Sequence, residues 1–208
     1  MTTTHPSGFA PAASPLAPTM IHTPDGAISA GITSIPSQGD DMPAYYARPK
    51  ASDGALPVVI VVQEIFGVHE HIRDICRRLA LEGYLAIAPE LYFREGDPND
   101  FADIPTLLSG LVGDTSLNSP KHPVDIATDL NAPVLGLYGG QDTSIPQESV
   151  ETMRQALRAA NAKAEIVVYP DAGHAFNADY RPGYHEASAK DGWQRMLEWF
   201  AQYGGKKG

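Results

Sequence analysis

Four polar positions of types that do chemistry follow closely on apolar, β-branched runs. Gln63-Glu64 closes Leu56-Pro-Val-Val-Ile-Val-Val, and Glu90 with Arg94 follows Tyr84-Leu-Ala-Ile-Ala-Pro. Asp142 follows Ala132-Pro-Val-Leu-Gly-Leu-Tyr, and His174 follows Ala164-Glu-Ile-Val-Val-Tyr-Pro. In open sheets of alternating strands and helices, ligands bind outside the carboxyl ends of the strands. An acid on one such loop with a histidine on the next makes a proton shuttle and its orienter. His174 would take and return the proton, while Asp142 holds the imidazole tautomer and stabilises the imidazolium. Glu64 ends an all-apolar run, where a carboxylate without a task is costly to bury. Each position also has a plain structural use. Asp142 could cap a helix begun by Asp-Thr-Ser-Ile-Pro, and Arg94 could pair with Glu90 or Glu95. His69 and His71 flank Glu70, but residues two apart do not share a helix face, so no metal site is expected.

These residues need a scaffold, and the hydrophobic pattern supplies one. Leu56–Val62 has no polar alternation, as in a strand buried on both faces. Ile72, Ile75, Cys76, Leu79 and Ala80 form one stripe of a helix, and Gly83 stops it. Tyr84–Pro89 is the next strand, and strand, helix, strand makes a βαβ unit with parallel pairing. The second half repeats this. Strands at 132–138 and 164–170 enclose a helix with Ser144 and Gln147 spaced as a capping box and Val150, Met153, Leu157 and Ala160 as its stripe. A last helix carries Trp193, Met196, Leu197 and Phe200 and ends at Gly204-Gly205. Before the first βαβ unit, Ile28–Ile35 and Met42–Ala47 read as an antiparallel pair. Between the halves, residues 89–133 hold one short helix around Ile104–Leu111 and no β-rich run, which is unusual inside a compact domain.

Gln63-Glu64-Ile65-Phe66-Gly67, Pro89-Glu90-Leu91-Tyr92-Phe93-Arg94, Gly139-Gly140-Gln141-Asp142 and Asp171-Ala172-Gly173-His174-Ala175-Phe176 together resemble the dienelactone hydrolase (carboxymethylenebutenolidase) family. The resemblance runs from about Met42 to Phe200 apart from the middle. It implies an α/β-hydrolase-like fold, a mostly parallel sheet with helices on both faces, and hydrolysis of small esters or lactones through a nucleophile–His–Asp triad. His174 and Asp142 then fill two triad places, and Glu64 helps generate the nucleophile. The N–H of Ile65 is one oxyanion donor, and Arg94 helps hold a substrate carboxylate. No cofactor is implied. The family's nucleophile sits in a Gly-x-Cys-x-Gly elbow, and this chain has none. Its 19 glycines stand four apart only at Gly136/Gly140 and Gly204/Gly208, whose centres are Tyr138 and Lys206. Ser29, in Ala27-Ile-Ser-Ala-Gly31, precedes the first buried strand, and Pro36 prevents the helix an elbow must open. Cys76 lies on the apolar stripe and reads as core. The central elbow strand and its neighbour are therefore expected to be missing, as by an internal deletion near Leu111. The chain could equally be a non-catalytic remnant or binding module of the same fold. An arginine expected one turn after His174 is replaced by Ala178, with Arg181 three residues further on.

Composition limits the partners. The 208 residues carry a formal charge of −10 and are 43% hydrophobic, which favours a folded acidic domain over a nucleic-acid or anionic-membrane surface. One cysteine excludes an intrachain disulfide and fits a cytoplasmic setting. Residues 1–25, with five prolines, read as an extended arm, and 26–208 as a single α/β-hydrolase-like domain, incomplete around 112–130. The expected partner is a small-molecule ester or lactone.

Overall fold

The computed structural model describes residues 19–52, 54–107, 109–110 and 122–204. The chain packs as two compact units, the second beginning at Thr115. In the first, β1 (Ile28–Ser37) and β2 (Asp40–Pro49) form an antiparallel hairpin in continuous register from Ile28↔Pro49 to Ser37↔Asp40. The turn residues Gln38 and Gly39 have φ of 51° and 94°, the left-handed values that a two-residue hairpin turn requires. Ser29 lies within β1 opposite Arg48, so it occupies no strand-to-helix turn.

The first βαβ unit follows as β3 (Val58–Ile60), α1 (Glu70–Leu81) and β4 (Leu85–Pro89), with β3 and β4 parallel. The helix lies against β2 and β4, where Ala47, Ala86 and Ala88 are fully buried and their small side chains admit it closely. Ile72, Cys76, Leu79 and Ala80 face this layer and are 5% exposed or less. Burial of a side chain the size of Leu79 contributes about 1.5–3 kcal/mol. Gly83, at φ 90°, ends the helix as its sequence position predicts. The Gly83 N–H donates to Ala80 O and the Tyr84 N–H to Leu79 O, at 3.0 and 3.1 Å.

The start of the described chain is fastened to the same helix. Thr23 is buried, its N–H donating to Asp74 Oδ1 at 2.8 Å and its hydroxyl to Oδ2 at 3.1 Å. Arg77 and Arg78 also donate to this carboxylate. The end of the Pro-rich arm is thus docked at Thr23, and residues 1–18 lie outside the described residues.

Three expectations need correction here. First, the strand read from Leu56 to Glu64 is only Val58–Ile60, and it is not buried on both faces: Val58, Ile60 and Val62 are 59%, 66% and 66% exposed. Among the described residues the sheet runs β1-β2-β4-β3, so β3 is an edge strand paired with β4. An apolar run records a strand's preference for burial, not the presence of a partner. Second, the first sheet as described has two antiparallel pairings and one parallel, whereas the second is parallel. The β1–β2 hairpin joins β4 antiparallel and balances the βαβ pairing. Third, the strands before Glu64, Glu90, Asp142 and His174 belong to two hydrogen-bonded sheets, not one.

The second sheet is β5 (Val134–Gly139) paired in parallel with β6 (Ala164–Tyr169). Helix α3 (Gln147–Ala159) connects them, burying Val150 and Leu157, and α4 (Glu186–Tyr203) ends the described chain. Gly192 of α4 faces Leu137 and Tyr169, where a Cβ would make ordinary contacts of 3.4 and 3.5 Å. Gly204 caps this helix, and Gly205 lies outside the described residues. The predicted capping box does not form. The N-cap of α3 is Pro146, without a side-chain cap, and the Gln147 amide donates to Gly139 O instead. In the middle, α2 (Ile104–Leu107) is a single helical turn and Pro123–Asp129 forms a 3₁₀ helix. The predicted helix beyond Leu107 and the segment 111–121 fall mostly outside the described residues. No helix among the described residues is long and apolar enough to cross a membrane.

Candidate active site

Asp142 and His174 meet. The loops after β5 and β6 are stitched together by the Gly140 N–H donating to Tyr169 O at 2.7 Å and the Gln141 N–H donating to Ala172 O at 2.9 Å. Glycine is required for this approach. A Cβ on Gly139 would stand 2.4 Å from Gly173 O, and one on Gly140 would stand 2.7 Å from Pro170 Cα. Phe176, buried against Tyr169 and Ala172, anchors the far side of the histidine loop. Between these anchors Ala175 takes a left-handed φ of 56°, an uncommon conformation for a residue with a Cβ.

The Asp142 side chain is 7% exposed, and its Oδ2 lies 2.9 Å from His174 Nδ1. Its Oδ1 accepts the N–H groups of Ser144 and Ile145 at 2.7 and 2.9 Å. One carboxylate thus closes the turn that leads to α3 and contacts the histidine, although the N-cap of that helix is Pro146. Burial pushes its pKa upward, but the Ile145 N–H, His174 and the Ser144 N–H outweigh that and hold the carboxyl below its ordinary value. An ionised carboxylate can only accept, so Nδ1 carries the proton and the neutral ring presents the Nε2 lone pair. With the His174 side chain 54% exposed, that nitrogen can serve as a base.

The other predicted residues belong to the first unit. The Glu64 carbonyl accepts the Gly67 N–H, closing a tight turn in which Gly67 has φ 77°. The Glu64 carboxylate lies 3.3 Å from His69 Nε2, a partner that the sequence pattern did not suggest. The available signal was a polar residue at the entry to α1, on the loop leaving a strand's carboxyl end. Gln63 and Glu90 tie the loops after β3 and β4: Gln63 Oε1 accepts the Leu91 N–H at 2.8 Å, and Glu90 Oε2 the Val68 N–H at 3.3 Å. Beside them is a cleft of about 510 Å³ whose walls include Phe66, His69, Arg73, Glu90, Tyr92 and Phe93. Ile65 is partly exposed on the loop before it. The Arg94 guanidinium is held at the β1–β2 turn, by Asp40 and Ser37 rather than by Glu90 or Glu95. Its Nε donates to Asp40 Oδ2 at 3.0 Å and its Nη2 to Ser37 O at 2.5 Å.

Cys76 is fully buried, and burial pushes its thiol up to about 12, so thiolate chemistry is closed to it near neutral pH. Among the described residues no cluster of three or more His, Cys, Asp or Glu side chains is arranged to hold a metal ion.

The dienelactone hydrolase family profile matches residues 42–117 and 112–204, two segments that cover most of the chain. The chain belongs to the dienelactone hydrolase family. A Salmonella typhimurium member, provisionally named carboxymethylenebutenolidase, is 77% identical over 270 residues, covering 100% of this chain and 100% of the relative. That alignment is 62 positions longer than the 208 residues present here, so at least that many face no residue of this chain. The crystal structure of a Klebsiella pneumoniae dienelactone hydrolase, also provisionally named, superposes with a TM-score of 0.82 at 60% identity, covering 86% of this chain and 100% of that one. A dienelactone hydrolase-like promiscuous phosphotriesterase from metagenomic libraries superposes with a TM-score of 0.66 at 16% identity over 86% of this chain and 100% of its own, a likeness of fold. The α/β-hydrolase fold expected for a dienelactone hydrolase is therefore present.

Proposed function

We propose that this chain carries the acid–base half of a dienelactone hydrolase acting on small esters or lactones, and that the nucleophile belongs to the block of its relatives without a counterpart here. In this reading His174 moves the proton and Asp142 orients it. Glu64 assists the nucleophile, the Ile65 N–H is one oxyanion donor, and Arg94 meets a substrate carboxylate after exchanging Asp40 for it. The carrying observation is the 2.9 Å Asp142–His174 contact, with the remaining aspartate oxygen fixed by two backbone N–H groups. The nucleophile's absence is supported by the glycine pattern, by the family profile matching in two separate segments, 42–117 and 112–204, and by the 62 unmatched positions. Sixty residues is on the order of two βα units, the size of a strand–elbow–helix–strand segment.

Without a nucleophile, His174 can at most activate water, a contribution of about 10²–10⁴-fold. The covalent route that divides acyl transfer into two easier steps is closed. The elbow also brings an oxyanion donor, whose loss costs on the order of 10²–10³ in turnover. The missing nucleophile equally favours a second reading, a non-catalytic remnant or binding module. Both are tested with a nitrophenyl acetate. The present chain is expected to give no acyl-enzyme burst and little turnover, barely altered in His174→Ala. Restoring the Salmonella block after Leu111 should produce a burst and turnover that His174→Ala abolishes. If the restored protein stays inert, the remnant reading stands. A burst from the present chain, removed by Ser29→Ala or Cys76→Ala, would overturn both.

A further inference from the structure

The edge of the first sheet has a self-complementary pattern. The Leu85 N–H donates to Pro57 O and the Val61 N–H to Ile87 O, so positions 57, 59 and 61 spend their backbone groups on β4. By the alternation of a parallel ladder, Val58, Ile60 and Val62 direct theirs outward. Pro57, which has no N–H, falls in the inward set, so the outward set keeps every donor. The side chains of Val58, Ile60 and Val62 are also the exposed ones, at 59%, 66% and 66%. Ala55–Gln63 contains no charged residue, and Val58–Val62 contains no proline, so the usual guards against edge pairing are absent.

From this edge we infer that two copies of the chain dimerise through β3, antiparallel about a two-fold axis at Ile60. That register sets Ile60 opposite Ile60 and Val58 opposite Val62, β-branched against β-branched on one face. It joins two four-stranded sheets into eight continuous strands. The second copy is the fitting occupant because the outward triplet Val-Ile-Val reads the same in both directions, as a two-fold contact requires. The molecule's charge of −10 has no residue within the paired segment, so the contact sets no like charges against each other. The inference rests on the sheet alone and is independent of the chain's chemistry.

The test combines mass and register. Light scattering at rising micromolar concentration is expected to approach twice 22.3 kDa, and Ile60→Lys to remain monomeric with an unchanged circular-dichroism spectrum. The lysine replaces a side chain that is 66% exposed, so folding tolerates it. Residues opposite each other in such a hydrogen-bonded pair lie about 5.5 Å apart between Cα atoms, within disulfide range. Mild oxidation should therefore link Ile60→Cys to itself and Val58→Cys to Val62→Cys, but leave Val58→Cys alone unlinked. A wild-type monomer throughout, a dimer that survives Ile60→Lys, efficient 58–58 linkage, or binding of a different polypeptide to β3 in place of a second copy would each overturn the proposal.

Discussion

At the scale of single residues, two glycines and an aspartate build the candidate site. The Gly139 carbonyl accepts the Gln147 amide, while its missing Cβ leaves room for Gly173 O, where a methyl would stand 2.4 Å away. Gly139→Ala must push the histidine loop off the aspartate loop. The expected loss is about 1–3 kcal/mol of stability, with the Nδ1–Oδ2 contact lengthened. Urea unfolding together with the chemical shift of the His174 Nδ1 proton measures both, and an unaltered shift would mean that the contact survives the added methyl. Sequence reasoning found Asp142 and His174 because the order of acid and histidine on successive loops is a local, countable pattern. The His69–Glu64 contact is not legible in the sequence, because a histidine five residues from a glutamate resembles no motif until the turn at Gly67 folds it back. Arg94 illustrates the reverse. Its motif is legible, but its partner Asp40 is 54 residues away and reached only through the hairpin.

Elements were legible where periodicity and punctuation agree. Helix α1 has both a stripe and Gly83, and the structure bears out its buried face and its end. The start of α3 differs from its predicted capping box because the helix begins at Gln147 with Pro146 at the N-cap, two residues past Ser144, whose N–H belongs to the Asp142 turn. β3 was overextended because seven apolar residues look alike whether or not a neighbouring strand exists. Element α1 also supports a prediction of its own. Asp74, 2% exposed, joins the helix to Thr23 and two arginines. Burial raises its pKa, but the Thr23 N–H, Arg78 and Arg77 together draw it below the ordinary 3.8. Its folded pKa is thus depressed, so its contribution is complete above the unfolded value and fades as pH falls through the lower folded value. Asp74→Asn is expected to cost about 1.5–3 kcal/mol by removing the charge that the Thr23 N–H, Arg77 and Arg78 share. It should also flatten the dependence of stability on pH below about 4. Denaturant melts of both proteins between pH 7 and pH 2 test this, and parallel curves would remove the clasp from acid unfolding.

For the whole molecule, the division into two compact units, each with its own hydrogen-bonded sheet, bears on cooperativity. Calorimetry on the Ile60→Lys variant, so that association does not enter, is expected to show two unfolding steps. Its van't Hoff enthalpy should fall below the calorimetric one; equal enthalpies would mean that the units unfold as one. The sequence indicated the fold class through its βαβ units, but the arrangement into two sheets depends on long-range pairing that no local pattern records. Asp142 has a further consequence, for inheritance. Its two backbone hydrogen bonds serve the turn into α3 whether or not a proton ever moves, whereas the half-exposed His174 side chain contributes far less to folding. A lineage released from catalysis would therefore lose the histidine long before the aspartate. In chains of this kind, a retained aspartate testifies mainly to the turn, and the histidine beside it is the better witness to chemistry.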